Sequence, residues 1–229
     1  MTEKTAFGPQ ALLDSAALLG NVQTASLSSI DLSADAFGHG ASFVLSSLAS
    51  LTNLSFTAGR QSEVDDLRRR YPGLHITCAP IDEFSVMSAY GLRSNNQGFL
   101  PVMTLSAPVV AVKSIRQGGG VSYGYTWKAD ADGFLALVGL GYADGFDRAW
   151  GNRINAHRGE SLFPAVGRVA MDAHTVSTGN EELTVGDMLT YFGVLGTSCI
   201  YAEELALSVG GSPLTVTANL GLRIARVVS

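Results

Sequence analysis

At 229 residues, with 46% hydrophobic and 15% charged, the chain has the composition of a globular protein with a substantial core, which excludes a disordered segment. A net charge of −5 argues against the broadly basic face of a nucleic-acid binder. The longest almost uncharged apolar run, "GFLALVGLGYA" at 133–143, falls short of the ~20 residues a membrane-spanning helix needs, so no membrane partner is expected.

The opening "MTEKTAFGPQ" lacks the charged-then-apolar pattern of an export signal, and the expected location is cytoplasmic. Helical periodicity follows in "ALLDSAALL" (11–19), "SFVLSSLASL" (42–51) and "SEVDDLRRRY" (62–71). Between these segments, "SLSSIDLS" (26–33), "NLSFTA" (53–58) and "LHITCAP" (74–80) read as strands. Alternation of this kind favours parallel pairing through right-handed crossovers. Arg68, Arg69 and Arg70 form the only basic run and, following Glu63, Asp65 and Asp66, read as a solvated helix face. Cys78 and Cys199 have neither disulfide-framework nor zinc spacing, and each reads as a small core residue.

Near residue 100 the period becomes two. Strand candidates are "APVVAVKSI" (107–115), "VSYGYTWKA" (121–129), "FLALVGLGY" (134–142), "LFPAVGRVAM" (162–171), "MLTYFG" (188–193) and "LTVTANLGL" (214–222). Gly118 to Gly120 lack a nucleotide-loop pattern and read as a hairpin turn. One helix, "YAEELALSVG" (201–210), ends on a glycine pair. The pattern predicts an α/β domain over 1–99 and an all-β barrel or sandwich over 100–229.

The second half resembles the C-terminal β domain of alanine racemases, the fold-type III pyridoxal-phosphate enzymes. The resemblance rests on "LPVMTLSAPVVAVKSI" (100–115), "GGGVSYG" (118–124), "LVGLGYADGF" (137–146), "AVGRVAMD" (165–172) and "VGDMLTYFG" (185–193), extended by "AEELA" (202–206) and "LRIAR" (222–226). In the first half, "SADAFGHG" (33–40) resembles the "VKADAYGHG" signature of the family's first barrel strand. Aligned there, Ser33 stands where the family has the lysine that holds the cofactor as a Schiff base, and Phe37 where it usually has tyrosine. "SAYGLRS" (88–94) resembles the segment that leaves the barrel, with Phe84 where the family carries an arginine facing the cofactor's pyridine nitrogen. A (β/α)₈ barrel takes ~250 residues, and about three of its eight strands can be placed before residue 100. The resemblance therefore implies an incomplete barrel remnant followed by an intact β domain.

Racemising an amino acid needs an electron sink for the α-carbanion, which pyridoxal phosphate provides through an imine with a lysine. The resemblance assigns Tyr142 as the family's second base and Met171 as the residue whose backbone N–H meets the substrate carboxylate. The residue pattern alone leaves Tyr142 open between that role and an ordinary strand residue, and Met171 between a contact and a core filler. Of the three lysines, Lys4 lies near the terminus while Lys113 and Lys128 fall in second-half strand patterns. His39 reads as a packing or capping residue, and Asp144 and Asp172 as turn and strand-end carboxylates. "SLSSIDLSADAF" (26–37) alternates apolar residues with Ser and Asp, unlike a central barrel strand, so one face is expected to meet water.

The expectation is a degenerate racemase relative with no covalently held cofactor, acting as a binding or partner-modulating protein. Three parallel strands leave edges to be covered, so a homodimer is expected, with a mixed assembly with a full-length racemase as a further option. The alternatives are an active racemase or other pyridoxal-phosphate isomerase with an unconventional site, and a small-molecule binding module.

Overall fold

The computed structural model describes residues 8–94, 98–122 and 124–229, so Lys4 lies outside the described residues. The first described element is a strand, β1 (Gln10–Leu13), in place of the helix expected over 11–19. Helix α1 (Ser15–Thr24) begins only after Asp14, whose carboxylate accepts a hydrogen bond from Ala17 N at 2.9 Å. The reason is local: an aspartate next to the apolar "ALL" caps a helix better than it continues one.

The alternation read in the first half is present. Strands β2 (Ser29–Asp31), β3 (Ser55–Ala58) and β4 (Ile76–Cys78) pair in parallel, with Ile30 beside Phe56 and Phe56 beside Ile76. The turn α2 (Ser33–Phe37) and the helices α3 (Ala41–Ser47) and α4 (Gln61–Arg70) make the crossovers. A helix not foreseen, α5 (Glu83–Tyr90), follows, and Asp82 caps it by accepting from Phe84 N. Cys78, read as a core residue, is exposed at the end of β4, and Cys199 is half-buried.

The second half is built on β5 (Met103–Ile115), a 13-residue strand. The residues expected to form one strand over 121–129 instead give two short arms, β6 (Gly120–Val121) and β7 (Trp127–Lys128). Then come β8 (Gly133–Val138), β9 (Asn155–Arg158), β10 (Ser161–Val166), β11 (His174–Gly179), β12 (Met188–Leu195) and β13 (Ser198–Ile200). Strands β5, β8, β11, β10, β9 and β12 pair in that order, and β12 returns to β5, so these strands close a barrel. Helices α6 (Ala202–Leu207) and α7 (Pro213–Ala218) and strand β14 (Ala225–Val228) complete the chain. The strand expected over 214–222 is wrong: Ser212 caps α7 through Leu214 N, and Pro213 presets its first turn. Strand β10 stops at Val166, short of the expected 171.

The two halves share structure across residue 100. Strand β1 lies between β5 (antiparallel) and β14 (parallel). Buried Asn21 of α1 donates to Ala89 O and Leu100 O and accepts from Leu100 N. One continuous core runs from Leu13 and Leu18 through Ile30 and Tyr90 to Leu105, Phe146 and Tyr191.

Candidate functional site

Strand β2 sends Ile30 into the core, while Ser29 and Asp31 line an open cleft with Thr57, Asp82 and Ser85. Ser33 lies at the end of this strand and is buried. Its N–H donates to Asp31 Oδ1 at 2.8 Å, and its Oγ accepts from Gly59 N at 2.7 Å. Asp31 is only 7% exposed, and its Oδ2 has no hydrogen-bond partner among the described residues. Burial pushes the Asp31 carboxyl up, and the Ser33 hydroxyl and amide partly oppose that. The hydroxyl eases ionisation from nearby but does not reach hydrogen-bonding geometry with Oδ2.

After Ser33 the backbone turns left-handed. Ala34, Asp35, Ala36 and Phe37 have φ between 51° and 57°, and Gly38 follows at 82°. Such residues cost ~1–2 kcal/mol each unless glycine, so the surroundings must over-determine the turn. They do: Ala34 N donates to Glu63 Oε1, and Asp35 Oδ1 accepts from Ala41 N. Gly38 lies against the Thr217 carbonyl, where any side chain would collide, and its own carbonyl accepts from Arg226 Nε. His39 is buried and stacks on Tyr90 with ring centroids 4.5 Å apart, so it packs, and desolvation pushes it down to about 4. Phe37 is buried near Tyr90, whereas Phe84 is half exposed on α5.

Pyridoxal phosphate does not fit this end of the molecule. Ser33 offers no amine, and its hydroxyl is already held by Gly59. Lys113 is exposed and pairs with Leu135 at the end of β5 remote from Met103; Lys128 is exposed on β7. The backbone around Ser33 is flanked by the carboxylates of Asp31, Asp35 and Glu63. The guanidinium of Arg226 is spent on the carbonyls of Gly38, Leu220, Gly221 and Ile224. A phosphate dianion placed there would face like charge.

Tyr142 and Met171 stand together elsewhere. Tyr142 begins a 3-10 turn (Tyr142–Asp144) and is not the strand residue expected from 134–142. Its N–H donates to Ala170 O at 3.0 Å, and Ala143 N donates to Met171 O at 2.9 Å. Gly141 lies so close to the Met171 carbonyl that a Cβ would sit 2.3 Å from the oxygen. Tyr142 is 42% and Met171 52% exposed, so neither is a core filler. The Arg148 guanidinium lies 5.2 Å from the centre of the Tyr142 ring.

The turn is held from below. Buried Asp144 accepts from Gly141 N at 2.8 Å and pairs with Arg223 Nε at 3.1 Å. Arg223 also holds Asp172 at 2.7 Å, so the two aspartates are joined through an arginine and do not act as an acid pair. His174 Nδ1 meets Leu140 O at 2.7 Å; because a carbonyl only accepts, Nδ1 carries the proton. Nε2 then accepts from Tyr191 OH, also at 2.7 Å. Burial pushes His174 down to about 4, consistent with this neutral form.

Tyr142 and Met171 are thus brought together, but no hydrogen bond among the described residues joins them to Ser33. Sequence reasoning missed Asp31, Arg148, Arg223 and the His174–Tyr191 pair. The signal for Asp31 was available, since an aspartate inside a parallel strand two residues before Ser33 needs a partner.

The sequence profile described as alanine racemase, C-terminal domain, matches residues 102–228. The alanine racemase of Corynebacterium efficiens is 42% identical over 125 residues, covering 52% of this chain and 33% of that protein. That of Mycobacterium leprae is 35% identical over 185 residues, covering 78% of this chain and 44% of that protein, so the similarity reaches into the first half. The chain therefore spans less than half the length of these relatives. The solved alanine racemase of Streptomyces coelicolor superposes with a TM-score of 0.84 at 18% identity, the match covering 96% of this chain and 98% of that one, a likeness of fold. With the profile covering more than half of its residues, the chain belongs to the alanine racemase family.

Proposed function

We propose that the chain is a degenerate member of the family that does not hold pyridoxal phosphate covalently and does not racemise amino acids by itself. In this reading the β2–β4 sheet is a remnant of the family's barrel, residues 1–99 and 100–229 descend from its two domains, and the protein works in the cytoplasm. The observation that carries the proposal is Ser33: a buried hydroxyl already bonded to Gly59 N, flanked by carboxylates, where the family places its lysine.

What the chain keeps is the other half of a site. Tyr142 and Met171 are surface-exposed and held by their backbones in one rigid corner. Presented this way, the pair suits contact with a second chain, so a homodimer or a mixed assembly with a full-length racemase is the expected setting. Within such an assembly the chain positions a tyrosine hydroxyl and supplies no covalent chemistry of its own.

The test is alanine racemisation by the purified chain at high concentration with pyridoxal phosphate added, together with co-purification from native cells. No turnover is expected, and turnover that disappears in Tyr142→Phe would refute the proposal. Recovery of the homo-oligomer alone would remove the mixed assembly.

A further inference from the structure

The cleft beside β2 has a composition opposite to that of a cofactor-phosphate site. Its floor carries Asp31 and its rim Asp82, and the remaining polar positions named above are the hydroxyls of Ser29, Thr57 and Ser85. Among the described residues, no lysine, arginine or histidine lines it. Its volume, about 340 Å³, falls at the small end of the ~300–1,000 Å³ range of ligand clefts.

Two of these groups lack partners. Asp31 Oδ2 and Ser29 Oγ are shielded from water and have no hydrogen-bond partner among the described residues. A buried carboxylate oxygen without a donor costs free energy, on the order of 1–3 kcal/mol, which a ligand that donates to it recovers. Asp31 Oδ1 is already satisfied by Ser33 N, so the deficit is confined to Oδ2. Asp82 is partly engaged: it accepts from Phe84 N at 3.3 Å and from Ser85 Oγ at 2.5 Å. It also faces the positive end of α5, which amounts to only ~0.5 of an elementary charge. The balance favours a cation.

We propose that this cleft binds a small organic ammonium ion, with the nitrogen donating to Asp31 Oδ2 and the Ser29 hydroxyl and with the Asp82 carboxylate at the rim. Seating it takes a local adjustment of the floor, because Asp31 Oδ2 and Ser29 Oγ both have almost no accessible surface in this structure. A simple amine fits the lining better than a zwitterionic amino acid, since no cation waits for a carboxylate. It also fits better than a metal ion, since no group of three or more His, Cys, Asp or Glu side chains with metal-binding geometry occurs among the described residues. The inference rests on the reading of the first half as having lost its anionic cofactor.

The experiment is calorimetric titration of the full chain with three compounds of one skeleton: 1,4-diaminobutane, 1,4-butanediol and succinate. Binding of the diamine alone is expected, weakened at least about tenfold by Asp31→Asn, whose amide oxygen can still accept from Ser33 N. Asp82→Asn, which can still cap α5, should weaken it as well and serves if the first variant does not fold. Glu160→Gln, on an exposed turn between β9 and β10, should leave it unchanged. Equal binding of the diol or of succinate, binding unaffected by both aspartate variants, or no binding of the diamine at millimolar concentration would each overturn the proposal. A parallel titration with pyridoxal phosphate separates the two ideas: uptake of that compound contradicts the degenerate reading, whereas failure of the diamine alone contradicts only the ligand assignment.

Discussion

Ser33 is fully engaged by its neighbours. Its hydroxyl completes the hydrogen bonding of Gly59 N, and its amide that of Asp31 Oδ1, so the position is stable without an amine. Lysine substituted at this position would lose the bond to Gly59, and in the degenerate reading proposed above Phe37 and Phe84 would have to change as well. Ser33→Lys is therefore expected to remain inactive in racemisation, and measurable turnover would show the damage to be smaller than argued. The left-handed turn beside it makes a second prediction. Ala34 is exposed with φ 51°, so Ala34→Gly relieves ~1–2 kcal/mol of strain against ~0.5–1 kcal/mol of added unfolded-state entropy. A net gain of roughly 0.5–1 kcal/mol in urea denaturation is expected, and a loss would mean the turn is not strained.

At the scale of elements, the outer edges of the β2–β3–β4 sheet are blunted by side chains. Tyr90 OH donates to Asp31 O on the outer side of β2 at 2.8 Å, and the Arg68 guanidinium holds Ile76 O of β4 at 2.6 and 3.0 Å. These are the acceptors that a further strand would use. Tyr90→Phe leaves a buried carbonyl without that donor and should destabilise the protein by about 1–3 kcal/mol in denaturant titration. No change would mean that water replaces the hydroxyl. Part of this architecture was legible in the sequence. Period-three and period-two segments located α3, α4, β3 and β8, whose buried positions fall mostly on one face, and the apolar run of β12, which is buried on both. The misreadings came where capping outweighs periodicity: Asp14 separates β1 from α1, Asp82 starts α5, and Ser212-Pro213 turns an apparently strand-like "LTVTA" into α7. Edge pairing of β1 with β14 joins residues more than 200 positions apart, beyond any local pattern. Tyr142 and Met171 were found through resemblance; their shared backbone corner became visible only in three dimensions.

Across the whole molecule, the two most buried imidazoles tie stability to pH. His39 and His174 are both pushed down to about 4 by desolvation, against an ordinary 6.5. Below pH 6.5 the unfolded chain binds protons that the folded one refuses, so stability falls as pH drops towards 4 and is fully present above 6.5. At pH 5 the loss amounts to roughly 2 kcal/mol per histidine, offset in part by Asp31, whose raised carboxyl acts in the opposite sense. A urea midpoint that falls between pH 7.5 and pH 5 is expected, and an unchanged midpoint would show that these rings reach solvent. One sits under the left-handed turn and the other under the Tyr142 corner, so acid should loosen both regions together. A family member that keeps the tyrosine corner while lacking covalent cofactor chemistry should leave pyridoxal phosphate unattached. The most direct test is incubation of the purified chain with pyridoxal phosphate, borohydride reduction and mass measurement of the intact protein. An unmodified chain with no imine absorbance band is expected. A stoichiometric pyridoxyl adduct on a single lysine would contradict it.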